Sequence, residues 1–156
     1  MTTVTNAWQL GFQLPKHTLE PITRTDVVRY QGASGDLNPI HHDEPFARAA
    51  GFSAPVVVGM LPAGMLHAWL ASQLGPDNVR RVAMRWKEPV FPGDVLTFEA
   101  KVVKRYEEAG EVRIELELLC TKQTGNAVVF GTATYLVPST GGAGDSKLVP
   151  DKDRVA

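Results

Sequence analysis

Hydrophobic and polar residues follow two different rhythms along this chain. From Gly59 to Leu74 the residues Met60, Leu61, Met65, Leu66, Ala68, Trp69, Leu70 and Leu74 are interrupted only by His67, Ser72 and Gln73. A helix apolar nearly all round is expected in the core. Gly75-Pro76 stops it, and Pro62 falls near its start, where a missing N–H costs least. After Gly75 the rhythm becomes two. Val82, Met84 and Trp86 alternate with Arg81, Ala83 and Arg85. Leu96, Phe98, Ala100 and Val102 alternate with Thr97, Glu99, Lys101 and Val103; Val112, Ile114, Leu116 and Leu118 alternate with Arg113, Glu115, Glu117 and Leu119. These are half-buried antiparallel strands. Glu108-Ala109-Gly110 and Gln123 to Asn126 have hairpin chemistry, and Ala127 to Val137 is a last strand. One long buried helix followed by an antiparallel meander predicts an α+β fold.

The first half of the chain is more punctuated. Lys16 to Ile22 is expected to be a short strand. Thr23-Arg24-Thr25-Asp26 reads as a capping box with Asp in place of Glu, opening a helix through Val27, Val28 and Gln31 that ends near Gly32 to Gly35. Asp43 caps a short helix through Pro45 to Ala50, closed by Gly51. Residues 1–11 are expected to form an arm. Pro138-Ser139-Thr140-Gly141-Gly142-Ala143-Gly144-Asp145 has linker composition, so 138–156 is read as a flexible tail without a catalytic role and 12–137 as the folded domain.

Composition narrows the function classes. A length of 156 residues suits one domain. A net charge of −1 gives no pull toward nucleic acid or an anionic membrane surface. No apolar run approaches the roughly 18 residues needed to span a bilayer, and Met1 to Asn6 lacks a charged-then-apolar leader pattern. The single cysteine, Cys120, fits a reducing compartment, and a cytoplasmic protein is expected. One Cys and no paired His at ligand spacing predict no metal site, and no cofactor is expected.

The densest chemistry lies in Ser34-Gly35-Asp36-Leu37-Asn38-Pro39-Ile40-His41-His42-Asp43. Taken alone, Asp36 and Asn38 suit an Asx turn, and His42 reads as exposed. Yet Asp36 and His41 are also an acid/base couple. With Pro39 between them they cannot share a helical face and must meet across a bend.

The residues after His42 and Asp43 tip the balance. The chain runs on through Ala47 to Gly51 and then Val58-Gly59-Met60; a later Pro89-Val90-Phe91-Pro92-Gly93-Asp94 precedes the long strand. Together these resemble the MaoC-like (R)-specific enoyl-CoA hydratases, of the hot-dog fold, over most of residues 12–137. One departure stands out: Val58 occupies the place where that family usually has His. The resemblance implies an antiparallel sheet wrapped around a long central helix, and reversible hydration of a trans-2-enoyl thioester to the (R)-3-hydroxyacyl thioester, the substrate carried on CoA or on an acyl-carrier protein. It implies that Asp36 and His41 hold the water, with Asn38 and Ser34 in support, and that the Gly59 N–H at the helix start receives the developing oxyanion. Met60, Leu61, Met65 and Trp69 are then candidates for the acyl pocket. Arg80, Arg81, Arg85 and Lys87 are candidates for the CoA phosphates. The resemblance also implies a homodimer or dimer of dimers. Two other functions share the scaffold. A thioesterase would have no use for the Asn-Pro-Ile-His segment, while a non-catalytic subunit of a heteromeric hydratase would account for Val58.

Overall fold

A computed structural model describes residues 8–137. The elements, in chain order, are β1 (His17–Thr18), α1 (Arg24–Ser34), a 3₁₀ turn (Pro39–His41), α2 (Glu44–Ala49), α3 (Met60–Leu74), a second 3₁₀ turn (Pro76–Asn78), β2 (Val79–Trp86), β3 (Leu96–Glu108), β4 (Glu111–Lys122) and β5 (Ala127–Leu136). The strands form one antiparallel sheet in the order β1-β3-β4-β5-β2. The last strand is thus inserted between β4 and β2, and β2 forms an edge.

Period two decides which face of the sheet is dry. Leu96, Phe98, Ala100 and Val102 of β3 and Ile114, Leu116, Leu118 and Cys120 of β4 are all buried. They face α3, whose Ala63, Leu66, Leu70 and Leu74 recur at helical spacing and are also buried. Each large aliphatic side chain removed from water here contributes roughly 1.5–3 kcal/mol before chain entropy is counted. The sheet curves around this helix, as the hot-dog expectation requires. The β3–β4 connection is a two-residue turn in which Ala109 (φ 53°) and Gly110 (φ 76°) both have positive φ, the twist that suits a tight hairpin.

Several expectations change on contact with the structure. Helix α3 is not dry all round. Met60 is 53% exposed, and Gly64, Ala68 and Ser72 continue an open stripe at four-residue spacing, because one sheet can cover only one side of a helix. The strand expected over Lys16 to Ile22 shrinks to His17–Thr18. Pro15 and Pro21 flank it and have no N–H to give to a ladder. The segment still holds the sheet edge, with Leu19 N–H donating to Leu96 O and Ile22 N–H to Asp94 O. Strand β3 runs well past Val103, to Glu108, with a register shift between Val102 and Lys104. Residues 8–11 of the expected arm are docked. Gly11 N–H donates to Val102 O, Arg105 donates to Trp8 O, and the Trp8 ring meets Phe12 edge-on at 5.5 Å. The rest of the arm and the expected tail over 138–156 lie outside the described residues.

Candidate active site

The site loop begins where α1 is made to stop. The Thr23 hydroxyl accepts from Asp26 N–H while the Asp26 carboxylate accepts from Thr23 N–H, so the expected capping box starts the helix. Gly35 ends it in the left-handed region (φ 74°), its N–H donating to Gln31 O. The chain then turns sharply through local side-chain bonds. Ser34 Oγ accepts from Asp36 N–H, Asp36 Oδ1 from Asn38 N–H, and Asn38 Oδ1 from Ile40 N–H. Ser34 and Asn38 therefore shape the loop, and Asn38 caps the 3₁₀ turn that presents His41. Asp43 caps α2 through Phe46 N–H, and Val56 N–H donates to Ile40 O.

The bend brings the expected pair together. Asp36 Oδ2 stands 3.7 Å from His41 Nε2. The His41 side chain is 11% exposed and that of Asp36 45% exposed, so one group is largely enclosed and the other is open to solvent. His41 Nδ1 lies 2.8 Å from Val56 O. A carbonyl can only accept, so Nδ1 carries the proton and, in the neutral ring, Nε2 offers a lone pair toward Asp36. Two acceptors facing each other across 3.7 Å are too far apart for a direct bond and suited to a shared proton donor between them. A water molecule is the smallest that fits this description.

From Val56 the chain leads directly to the second candidate group. Val57 N–H donates to Val90 O, and Val58 O accepts from Leu61 N–H as α3 begins. Gly59 is three residues beyond Val56, hence no more than about 11 Å along the chain. Its N–H meets no acceptor among the described residues, and it is exposed at the helix start. Its backbone is ordinary right-handed (φ −57°), so glycine is not needed there for conformation. What a side chain would change is the space: an added Cβ would lie 3.4 Å from Trp86 Nε1. That indole also donates to Gly59 O at 2.7 Å, pinning the helix start to the edge strand. Val58 itself is buried in the core cluster.

The remaining candidates are scattered. Leu61 belongs to the core; Met65 and Trp69 are half-buried against it, with Trp69 between His17 (6.2 Å) and Phe98 (6.1 Å). Met60 is exposed beside Gly59. A groove of about 690 Å³ lies on the outer face of the sheet, between Lys16, Arg85, Glu99, Lys101 and Phe130; of the candidate residues it touches Arg85 but not Asp36, His41 or Gly59. The Arg80 guanidinium is already engaged by Glu111, at 2.6 Å from Nη2. It also lies about 20 Å along β2 from Trp86. Arg81, Arg85 and Lys87 are exposed. No group of three or more potential metal ligands occurs among the described residues.

The sequence and the fold have counterparts among known proteins. The MaoC like domain matches residues 11–123. The chain belongs to the MaoC-like family. A curated relative, the (R)-specific enoyl-CoA hydratase of Rhodospirillum rubrum, is 32% identical over 122 residues, covering 77% of this chain and 83% of that protein. The mitochondrial 3-hydroxyacyl-[acyl-carrier-protein] dehydratase of Solanum lycopersicum is 31% identical over 114 residues, covering 73% and 69%. Among solved structures, the (R)-hydratase of Aeromonas caviae superposes with a TM-score of 0.75 at 27% identity, over 85% of this chain and 99% of that one. The fold of this MaoC-like chain is accordingly the hot-dog fold.

Two residues near the site carried no functional signal in the sequence. Gln31 is the buried polar side chain among the described residues, and its amide reaches into the site loop. Its only trace was a polar residue four positions after Val27 on the face that α1 buries. Trp86 read simply as one position of an alternating strand, because periodicity does not say which strand will be an edge.

Proposed function

We propose that this MaoC-like protein adds water reversibly across the double bond of a trans-2-enoyl thioester, giving the (R)-3-hydroxyacyl thioester. The observation that carries this reading is the facing pair Asp36 Oδ2 and His41 Nε2, with the tautomer of His41 set by Val56 O. In hydration the bridging water loses a proton to the pair as its oxygen bonds to C3. The pair returns a proton to C2, so its own protonation is unchanged over a turnover. As negative charge develops on the thioester oxygen, the Gly59 N–H receives it, aided by the positive end of the α3 dipole. Glycine leaves room for the thioester to approach.

Groups left free in the fold accommodate the rest of the substrate. Met60 and the half-buried Met65 offer an apolar path for the acyl chain along α3. Arg81, Arg85 and Lys87 are exposed and have no side-chain partner among the described residues, which leaves them for CoA or phosphopantetheine phosphates, whereas Arg80 is held by Glu111. The outer edge of β2 has no partner strand among the described residues, which supports a second copy pairing there.

The test is incubation with crotonyl-CoA. Loss of enoyl absorbance without release of thiol supports the hydratase reading. Free CoA thiol would indicate a thioesterase instead, and no change over a range of chain lengths would indicate a non-catalytic subunit.

A further inference from the structure

We propose that Gln31 is a positioning residue for the Asp36–His41 pair, its buried side-chain amide serving as the peg around which the site loop is folded. Gln31 is 4% exposed. Helix α1 alone gives no reason for an amide there, since an aliphatic side chain beside Val27 would bury at less cost. The reason lies in the loop. Gln31 Nε2 is 2.9 Å from Asp36 O, 3.5 Å from Asn38 O and 3.2 Å from His42 Nδ1. The backbone carbonyl of the same residue takes the Gly35 N–H at 2.9 Å. One residue therefore holds the helix cap, the carbonyl of Asp36, and points on the chain either side of His41.

The chemistry fixes which way the amide points. Asp36 O and Asn38 O can only accept, so the group facing them is the NH₂ and not the oxygen. His42 Nδ1 faces the same NH₂ and must accept as well, which puts the proton of neutral His42 on Nε2. Gln31 touches no atom that reacts. It acts through the Asp36 backbone, whose carbonyl it holds while the Asp36 N–H donates to Ser34 Oγ and Oδ1 accepts from Asn38 N–H. With those three points fixed, Oδ2 is the one oxygen left to face His41. Proton transfer is steep in distance, so loosening that peptide is expected to cost turnover more than binding.

The inference rests on the hydratase reading, and the experiment separates the two. Gln31→Met keeps the length and burial of the side chain and removes the donor. The expected result is a kcat lowered about ten- to a hundredfold with KM changed less than about threefold. Backbone amides over 35–43 should exchange with solvent measurably faster by hydrogen–deuterium exchange, while the sheet amides do not change. If the Met variant fails to fold, Gln31→Glu, of the same size but with only acceptors, carries the same test and should show a loss at least as large. Wild-type kcat together with wild-type exchange over 35–43 in a folded variant would overturn the proposal. Should the wild-type protein show no hydratase activity on any chain length, the functional reading falls. The exchange experiment then decides the role of Gln31 by itself.

Discussion

His41 is committed at one ring nitrogen and free at the other, and the free one faces a carboxylate. That asymmetry is what makes a proton-transfer role for the pair specific enough to test. Asp36→Asn and His41→Ala are each expected to lower turnover by on the order of 10²–10⁴. Each should fold with a thermal midpoint near wild type, since neither side chain belongs to the core. Near wild-type activity in either variant would remove that residue from the mechanism. Val58 carries the opposite expectation. It is buried among apolar neighbours, so Val58→His places an imidazole where no partner is evident and should destabilise by about 1–3 kcal/mol without raising kcat. A gain of a hundredfold, about 2.7 kcal/mol of transition-state stabilisation, would mean the histidine does chemistry and that this chain is a weakened member of its family. That Asp36 and His41 would meet across a bend was legible in the sequence, because tight turns are written in local residue types; Gly59 became a candidate through the family resemblance. Gln31 was not legible, because a glutamine in a polar helix looks solvated until the loop it supports is folded around it.

Helix α3 and strand β2 meet at one point that neither element's pattern disclosed. The Trp86 indole donates to the Gly59 carbonyl and so ties the sheet edge to the peptide beside the proposed oxyanion donor. Trp86→Phe keeps an aromatic ring and deletes the donor. It should lower thermal stability by about 0.5–1.5 kcal/mol and kcat/KM several-fold, measured by melting and by the crotonyl-CoA assay on the same preparation. An unchanged kcat/KM with lowered stability would leave Trp86 a purely structural residue. At this scale the sequence told the elements apart well. Caps, glycine stops and two rhythms placed α1, α2, α3 and the meander close to where they lie. It overstated the dryness of α3 and the length of β1. The first depends on how far a sheet reaches around a helix, and the second on two prolines that spare a strand only its middle.

Among the described residues the sheet leaves β2 without a partner along one edge, and a second copy is expected to cover it. Light scattering should report a dimer or a multiple of it; a stable monomer at micromolar concentration would refute this. At the far end of β2, Arg80 first and Arg113 second hold the Glu111 carboxyl well below its ordinary 4.5, at about 2. The folded form keeps that group ionised where the unfolded chain would protonate it. Its contribution to stability is therefore full above about pH 4.5 and is lost as pH falls through about 2. Melting of wild type and Glu111→Gln should differ above pH 4.5 and converge toward pH 2. The strand order that makes this end an ion-pair junction was the least legible property of all, since alternation marks strands without saying which ones are neighbours. That order also has a history in the making of the chain. Among the described residues β2 pairs only with β5, and about fifty residues separate Trp86 from Leu136. At ordinary translation rates the nascent protein spends on the order of 3–10 s with α3 already synthesised and its cover incomplete. The apolar helix that serves as the core of the finished molecule is, for that interval, the surface a chaperone would recognise.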